Sequence, residues 1–313
     1  MLVLNRADLV GLGLSWAEII DVLEDAFLQK SRGLVQNPPK PKVTSRGDSA
    51  FIHAMPAYLG GSDRIGIKWV AGYEGNHAKG LPYIYGAVIM NDAETGRPIA
   101  LLDGGWITEM RTPGVSGVTM RHVPGDPKHL AIVGCGLQGR RHLEVALEVH
   151  PGLTRVTAYD YVDGVAQKLL DNAGDRATRV ADSPTDAVEG ADLVITTITV
   201  PLEPKIDCAN TDPNALLLPV DYADAMAQAA FDGAVIYSVD DPGQYNSVID
   251  MYFSGLPKPT TDLASVVSGK VEVPTTGRRM FLNMGIAMDD IALSSLVLER
   301  AAAAGVGRYI EFP

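Results

Sequence analysis

Cysteine is scarce in this chain of 313 residues, which contains only Cys135 and Cys208. Two cysteines cannot form a disulfide framework or a cysteine-rich zinc site. Cys135 lies within a glycine-rich turn, where a small side chain suits a crowded loop, so we assign it no chemical role. The sequence predicts no metal site.

Positive charge is also scarce, since 26 lysine and arginine residues stand against 38 acids and give a formal net charge of −12. Such a chain is a poor partner for nucleic acids or anionic membranes, and we expect neither. Long apolar runs are missing as well, and the first residues include Arg6 and Asp8, which argues against a signal peptide or a transmembrane span. We therefore expect a cytoplasmic protein that meets anionic ligands with local cations.

Apolar residues are plentiful, at 46% of the chain against 20% charged, and the length suits two domains. The most specific motif lies in the middle of the chain. The run HLAIV at 129–133 predicts a buried strand, and the spacing Gly134-x-Gly136-x-x-Gly139 follows it before a helical pattern. Glycines at this spacing allow a tight turn and bring a pyrophosphate close to a helix N-terminus. The motif favours a dinucleotide site over a plain strand-turn-helix unit.

A candidate ribose-binding acid follows at the expected distance. Asp160 ends a second predicted strand at 155–159 and lies about 20 residues beyond the glycine turn. A carboxylate there accepts hydrogen bonds from the ribose hydroxyls and repels a 2′-phosphate, which favours NAD as the cofactor over NADP. The alternatives are that Asp160 is a solvated turn residue, and that Arg155 and Arg179 admit NADP as the less favoured cofactor.

Strand-like runs alternate with helix-compatible segments beyond Asp160, at 177–181, 192–198, 215–220 and 234–239. This alternation predicts an α/β fold with a doubly wound parallel sheet of the Rossmann type. We place the Rossmann dinucleotide-binding domain at residues 118–280. It is inserted in a second, α+β domain that comprises residues 1–117 and 281–313.

Both ends of the chain contribute elements to that second domain. A capping box at Ser15 to Glu18 begins a helical pattern, and three prolines within 37–42 enforce an extended path. Strand-like runs cover 50–54, 65–70 and 84–90. Residues 291–304 predict a helix with Asp289 and Asp290 near its start, where the helix dipole favours acids.

Four residues are candidates for chemistry. Lys68 and Arg111 are cations in apolar or small surroundings, where a cation usually needs an anionic partner. They bind a substrate carboxylate, or alternatively form structural ion pairs or extend their apolar stems to bring the charge to solvent. Asp221 follows the run at 215–220, at the sheet edge where doubly wound folds bind ligands, and is alternatively a helix cap. His53 either points into a cavity or is a satisfied core histidine.

Several longer motifs resemble the ornithine cyclodeaminase and μ-crystallin family. They are AMPAYLGG, GIKWVAGYEGN, the stretch from Lys79 to Gly117, GCGLQG and MFLNMGIAMDDIA, and they follow the family's order over nearly the whole chain. The resemblance implies an NAD(P)-dependent oxidoreductase that acts on a small α-amino or α-imino acid. It also implies a homodimer formed through the domain outside the Rossmann unit.

The same resemblance implies roles for individual residues. Lys68 and Arg111 hold the substrate carboxylate, Lys68 and Asp221 serve in proton transfer, and Lys40 or Lys42 takes the place of a further family arginine. The implied substrate-binding residues are Lys40, Lys42, His53, Lys68, Tyr83 and Arg111. The implied cofactor-binding residues are Arg111, Thr112, Gly134, Gly136, Leu137, Gln138, Gly139, Asp160, Thr197 and Asp221.

Two departures from the family pattern bear on the substrate. His53 stands where ornithine cyclodeaminases have a glutamate for the distal ammonium, and Tyr83 fills a place often held by a smaller residue. We therefore expect reduction of a small α-imino acid, or oxidation of the matching amino acid, ahead of ornithine cyclodeamination with catalytic NAD. Glu74 or Asp48 is the alternative partner for a distal ammonium. A non-enzymatic, μ-crystallin-like protein that binds a small ligand is the third hypothesis.

Overall fold

The computed structural model describes residues 1–45 and 50–312, without the side chain of His77, so that Asp48 lies outside the described residues. Its strands are β1 (Leu2–Leu4), β2 (Val35–Gln36), β3 (Lys42–Val43), β4 (Ala50–Leu59), β5 (Arg64–Tyr73), β6 (Ile84–Asn91), β7 (Pro98–Asp103), β8 (His129–Val133), β9 (Arg155–Tyr159), β10 (Ala177–Val180), β11 (Leu193–Thr196), β12 (Leu216–Pro219), β13 (Ile236–Val239), β14 (Thr261–Asp262), β15 (Arg279–Leu282) and β16 (Arg308–Tyr309). Its α-helices are α1 (Arg6–Gly11), α2 (Trp16–Ser31), α3 (Gly104–His122), α4 (Leu137–Val149), α5 (Val165–Leu170), α6 (Pro184–Ala187), α7 (Gln228–Asp232), α8 (Pro242–Tyr252), α9 (Leu263–Val267) and α10 (Ala287–Ala304). A 3₁₀ turn covers Glu74–Lys79. No helix in these ranges is long and apolar enough to cross a membrane.

The chain divides into two compact units. Unit 1 comprises Met1–Arg111 and Gly285–Pro313, and unit 2 comprises Thr112–Met284. The boundaries predicted after residues 117 and 280 both fall inside unit 2. The first predicted boundary and the observed one both lie within α3, which continues without a loop, and the second predicted boundary cuts β15, a strand that the sequence did not predict.

Unit 2 is built on one parallel sheet with the strand order β10-β9-β8-β11-β12-β15-β13-β14. The strands β8, β11, β12 and β13 are buried throughout, which explains their nearly continuous apolar sequences. Each predicted strand of this unit is present within two residues of its predicted ends. The prediction of a doubly wound Rossmann sheet is confirmed.

Within unit 2, one strand was missed and one alternative for Asp221 is wrong. The sequence did not predict β15, which pairs with β12 on one side and β13 on the other, because a short apolar run carries no periodicity of its own. The alternative that Asp221 caps a helix is wrong, because the segment AMAQAAF at 225–231 that follows it is not one helix. Met226 forms a bridge with Ile206, and α7 begins only at Gln228, so the residues just after Asp221 form a turn instead of a helix.

Unit 1 is built on a mixed sheet with the order β16-β1-β7-β6-β5-β4-β2, and β3 pairs with β4. Helices α2 and α10 pack against each other, and α10 contacts β4, β5 and β6, so this side of the sheet forms the core. The capping box that begins α2 is confirmed, since the Ser15 hydroxyl accepts from the Glu18 N–H and the Glu18 carboxylate accepts from the Ser15 N–H.

Two elements of unit 1 differ from their predicted bounds, and α3, which begins in unit 1, was missed. β4 continues past Pro56, which is tolerated because β3 pairs with β4 only at Ile52 and His53, so that the missing N–H leaves no ladder bond unmade. α10 begins at Ala287, ahead of the predicted start. α3 was not predicted at all, since Pro113 and several glycines and threonines are weak helix formers and the helix is buried on nearly every side.

Candidate active site

The glycine turn between β8 and α4 has the geometry of a phosphate cradle. Gly134 adopts φ +92°, and a Cβ at this position would lie 2.8 Å from the backbone of Thr197. A Cβ at Gly139 would overlap the carbonyl of Gly134, so both positions require glycine. At Gly136, the N-cap of α4, a Cβ would meet no atom within 4 Å. The helix N-terminus therefore opens onto free space, as a bound pyrophosphate requires.

Thr197 fixes this turn to the neighbouring strand. It follows β11, and its hydroxyl donates to the carbonyl of Gly134 at 2.6 Å. β8 lies between β9 and β11, so the sheet order reverses direction here, and a doubly wound sheet binds its ligand in the crevice beyond such a point. The residues present fit a dinucleotide cofactor.

Asp160 lies beside the same turn at the end of β9. Its carboxylate accepts from the N–H of Cys135 at 2.7 Å and from the N–H of Val162 at 2.9 Å, which fixes its position and leaves acceptor capacity on both oxygens. Arg155 donates to His129, and Arg179 forms an ion pair with Asp186 at 2.6 Å. The two arginines named as possible partners of a 2′-phosphate thus already have other partners.

Asp221 is a buried carboxyl group just beyond β12. It accepts from the Thr196 hydroxyl at 3.0 Å and from the Ile198 N–H at 3.1 Å. Burial raises its pKa to about 7, although both hydrogen bonds act to lower it. It does not cap a helix, because the N-cap of α7 is Ala227. A carboxyl group that gains and loses a proton near neutral pH is suited to general acid-base chemistry.

Asn283 was missed by the sequence analysis. It directly follows β15, the strand beside β12, so it lies at the same edge of the sheet as Asp221. Its amide nitrogen donates to Thr119 at 3.1 Å, while its buried amide oxygen has no hydrogen-bond partner among the described residues. The run RMFL followed by a polar residue repeats the pattern of LLLPVD, and this similarity was the available signal.

In unit 1, the structure brings Lys68 and Arg111 onto one acid, Asp290. The Lys68 ammonium lies 2.6 Å from Asp290 Oδ1, and Arg111 Nε lies 3.2 Å from the same oxygen. Lys68 and Asp290 are fully buried, and the second oxygen of Asp290 has no hydrogen-bond partner within the described chain. β5, the middle of α3 and the first turn of α10 position these three side chains.

The charges in this cluster do not cancel. Two cations share one carboxylate, so protonated Lys68 leaves one positive charge in a buried place. Burial, with the nearby charge of Arg111 acting in the same direction, lowers the pKa of Lys68 to about 7, although Asp290 acts to raise it. The cluster is therefore able to attract an anion and to exchange a proton near neutral pH.

From the sequence, Asp290 was predicted only to be an acid that favours the start of a helix. Its role as a partner was signalled by two features, a pair of cations in apolar surroundings and an acid within the apolar run of α10, each of which requires the other. Gly285 was missed as well. It adopts φ +74°, and a Cβ there would overlap the guanidinium of Arg111, so glycine is needed for the arginine to lie against the backbone.

Three further predicted residues lie around this cluster. Lys40 donates to the carbonyl of Gly285 at 3.0 Å. Lys42 in β3 is paired with His53 in β4, and His53 Nδ1 lies 3.2 Å from the carbonyl of Pro41. Burial lowers the pKa of His53 to about 4, and Lys40, Lys42 and Lys68 contribute in the same direction. The imidazole is neutral at pH 7.

The other predicted site residues are placed as follows. Tyr83 is half-buried just before β6, Thr112 is half-buried in α3, and Leu137 and Gln138 form the first turn of α4. Glu74, an alternative partner for a distal ammonium, is exposed in the 3₁₀ turn. The thiol of Cys135 is buried and its pKa is raised to about 12, in keeping with a purely steric role in the turn.

A family model described as "Ornithine cyclodeaminase/mu-crystallin family" matches residues 2–305. The chain belongs to this family. Among the family relatives, nodulation efficiency protein NfeD of Rhizobium meliloti is 29% identical over 99% of this chain and 98% of its own. Alanine dehydrogenase of Archaeoglobus fulgidus is 27% identical over 99% of this chain and 98% of its own.

A solved structure covers the same length. The Δ1-pyrroline-2-carboxylate reductase of Thermococcus litoralis, in complex with NADH and L-proline, superposes with a TM-score of 0.90 at 27% identity, over 99% of this chain and 100% of that one. The resemblance of the chain to the family, drawn from its motifs, is confirmed over both units.

Proposed function

We propose that this protein is an NAD-dependent oxidoreductase that reduces a small α-imino acid or oxidises the matching α-amino acid. The observation that carries the proposal is the buried cluster of Lys68, Arg111 and Asp290. Its single excess positive charge matches one substrate carboxylate. Family membership, and a relative solved with NADH and an amino acid, support the same reaction class.

The glycine turn and its neighbours are proposed to hold NAD. The N-terminus of α4 would receive the pyrophosphate, and Asp160 would accept from the ribose hydroxyls. The engagement of Arg155 and Arg179 supports NAD ahead of NADP. When bound, the reduced cofactor supplies the hydride that adds to the imine carbon.

The residues of the chain bind the substrate and move its proton. Arg111 and Lys68 orient the carboxylate, and Gly285 lets the guanidinium lie flat against the backbone. Asp221 holds a proton on a carboxyl group with a pKa of about 7 and gives it to the nitrogen during reduction. In the oxidative direction the same oxygen takes that proton back from the amine.

The surroundings of His53 argue against cyclodeamination of a diamino acid. A distal ammonium requires an acceptor with negative charge, whereas this imidazole is neutral and has Lys40, Lys42 and Lys68 around it. Glu74 is exposed in the 3₁₀ turn, so we assign it no part in offsetting the positive charge around His53. We therefore place the imino-acid reaction ahead of ornithine and ahead of a purely ligand-binding role.

A homodimer formed through unit 1 is part of the proposal. The sheet face opposite α10 exposes large apolar side chains on adjacent strands: Trp69 is 47% exposed, Tyr85 49% and Ile89 37%. Trp69 and Ile67 in β5 are paired with Ala87 and Ile89 in β6, so these groups form one patch. Contiguous apolar patches of this kind mark protein interfaces.

We also infer a cytoplasmic location, which the two free cysteines support. Cys135 and Cys208 are both buried and unlinked, and the proposed chemistry consumes a nicotinamide cofactor.

A paired assay tests the proposed function. One arm follows NADH oxidation with α-keto acids plus ammonia or methylamine, and with cyclic imines; the other follows ammonia release from ornithine and lysine with catalytic NAD. We expect NADH oxidation in the first arm and no ammonia release in the second. Proline and ammonia from ornithine without net NADH turnover would establish a cyclodeaminase instead, and NAD binding without turnover in either arm would establish a binding protein.

Asp221→Asn separates the proposed proton transfer from binding. Removing the titrating group should lower kcat by about 10²-fold or more, while the KM for the imine changes little. Melting of the variant with and without NAD provides the control for folding. Near-native turnover would contradict the role given to Asp221.

A further inference from the structure

The wall of the substrate site in unit 1 carries more positive charge than an α-carboxylate uses. Lys68 and Arg111 are balanced by Asp290 and by one incoming carboxylate. Lys42 is an additional cation of the same wall, and it forms no ion pair with any residue in the ranges 1–45 and 50–312. The excess charge calls for a second anionic group.

The strand register places Lys42 and His53 on the same face of the sheet as Lys68. Lys42 is paired with His53 across β3 and β4, and His53 is paired with Val70 across β4 and β5. Paired residues share a face, and Lys68 lies two residues before Val70 on that face. His53 and Lys68 are thus diagonal neighbours, whose α-carbons are typically about 7–8 Å apart.

The protonation of His53 fits a site for an anion and excludes one for a cation. The carbonyl of Pro41 can only accept, so its partner Nδ1 carries the imidazole proton and Nε2 is the nitrogen that titrates. A carboxylate beside Nε2 favours proton uptake by the ring, and Lys42 pairs with the same carboxylate. An ammonium group there would meet lysines on several sides.

We propose that Lys42 and His53 receive a second carboxylate on the side chain of the substrate, so that the enzyme prefers dicarboxylic α-imino acids. This inference rests on the proposed function and names its substrate class. The reduction is balanced in the ordinary way: NADH gives a hydride to the imine carbon, the nitrogen takes a proton, and a dicarboxylic α-amino acid and NAD⁺ result.

The test compares kcat/KM for NADH oxidation with oxaloacetate, 2-oxoglutarate or pyruvate, each with ammonia to form the imine. Wild type should prefer at least one of the dicarboxylic substrates over pyruvate. Lys42→Gln should lower that ratio by about tenfold, as expected for the loss of one charge pair. Lys42→Arg should retain most of it, and Lys168→Gln, which removes an exposed lysine in α5, should leave the ratio unchanged.

A binding measurement complements the rates. Succinate should bind the NAD-loaded protein more tightly than propionate by calorimetry, and Lys42→Gln should remove most of that difference. Equal affinity for the two acids, or a ratio that Lys42→Gln leaves unchanged, would overturn the proposal even if pyruvate and cyclic imines are reduced. Failure of every imino acid to oxidise NADH would instead overturn the proposed function and this inference with it.

Discussion

Single buried charges carry most of the chemistry proposed for this protein. Lys68, Arg111 and Asp290 form a cluster in which one carboxylate holds two cations, and Asp221 is a separate buried acid with a raised pKa. Burying an unpaired charge costs several kcal/mol, so each of these groups either has a partner or titrates near neutral pH. Such groups concentrate at functional sites.

Asp290→Asn should shift the pH dependence of substrate binding. Lys68 binds a carboxylate only when it is protonated. Burial and Arg111 lower the pKa of Lys68, and Asp290 is the group that raises it. Without that charge the pKa of Lys68 falls below about 7. The rise of KM for the imino acid with increasing pH should therefore begin at a lower pH than in wild type, which a pH profile of kcat and KM measures.

The adjacent Asp289→Asn is the matched control for Asp290→Asn. Asp289 is equally buried in the first turn of α10, where its carboxylate accepts from the N–H of Ile286. Its loss should lower stability by about 1 kcal/mol without moving the KM profile. If both variants shift the profile alike, the effect is general to the helix and the special role of Asp290 is refuted.

At the scale of elements, the strand-turn-helix from β8 to α4 combines two kinds of glycine. Gly139 is required by packing, because a Cβ there overlaps the carbonyl of Gly134, whereas a Cβ at Gly136 would meet only open space. The fold therefore needs glycine at position 139, whereas only a bound ligand needs it at position 136. This contrast separates cofactor binding from stability.

Gly136→Ala should weaken NAD binding by about tenfold or more while the free energy of unfolding changes by about 0.5 kcal/mol or less, because the methyl group occupies ligand space alone. Gly139→Ala should lower both the affinity for NAD and the free energy of unfolding, since the turn itself must shift. Calorimetric titration with NAD and thermal unfolding measure the two effects. Gly11→Ala in α1, also open to solvent, is the control, and unaltered NAD affinity in Gly136→Ala would disprove the assigned pyrophosphate position.

At the scale of the whole molecule, unit 1 has a sheet with one covered face and one apolar exposed face. The covered face packs against α10, and the exposed face carries Trp69, Tyr85 and Ile89. A half-covered apolar sheet is a liability for a monomer because it invites association. A symmetric pair of subunits would bury the same patch on both copies.

Trp69→Glu should convert the protein from dimer to monomer in sedimentation velocity experiments, because a charge at the centre of the patch would be buried without a partner. Tyr309→Glu is the control, since Tyr309 is 76% exposed in β16 and lies far along the sheet order from β5. A wild-type monomer at micromolar concentration, or a Trp69→Glu dimer, would contradict the proposed interface.

Local sequence predicted much of unit 2 and less of unit 1. The strand at 129–133 was predicted to the residue because it is a buried, nearly continuous apolar run, and the strand at 155–159 because its β-branched and aromatic residues end at a turn acid. Helix α3 escaped prediction, because its residues are weak helix formers and burial on nearly all sides removes the amphipathic pattern. β15 escaped because its short apolar run carries no periodicity of its own.

The sequence by itself determined the alternation of strands and helices in unit 2, the glycine turn and the acid after β9, since these depend on spacings within a few tens of residues, and it determined family membership through motifs that follow one order along the chain. Tertiary structure decided which charges meet. Asp290 reaches Lys68 from 222 residues away, and Lys42 stands beside His53 only through the pairing of β3 with β4. No local pattern encodes such contacts, because the strand register and the packing of α10 arise from the burial of the whole core.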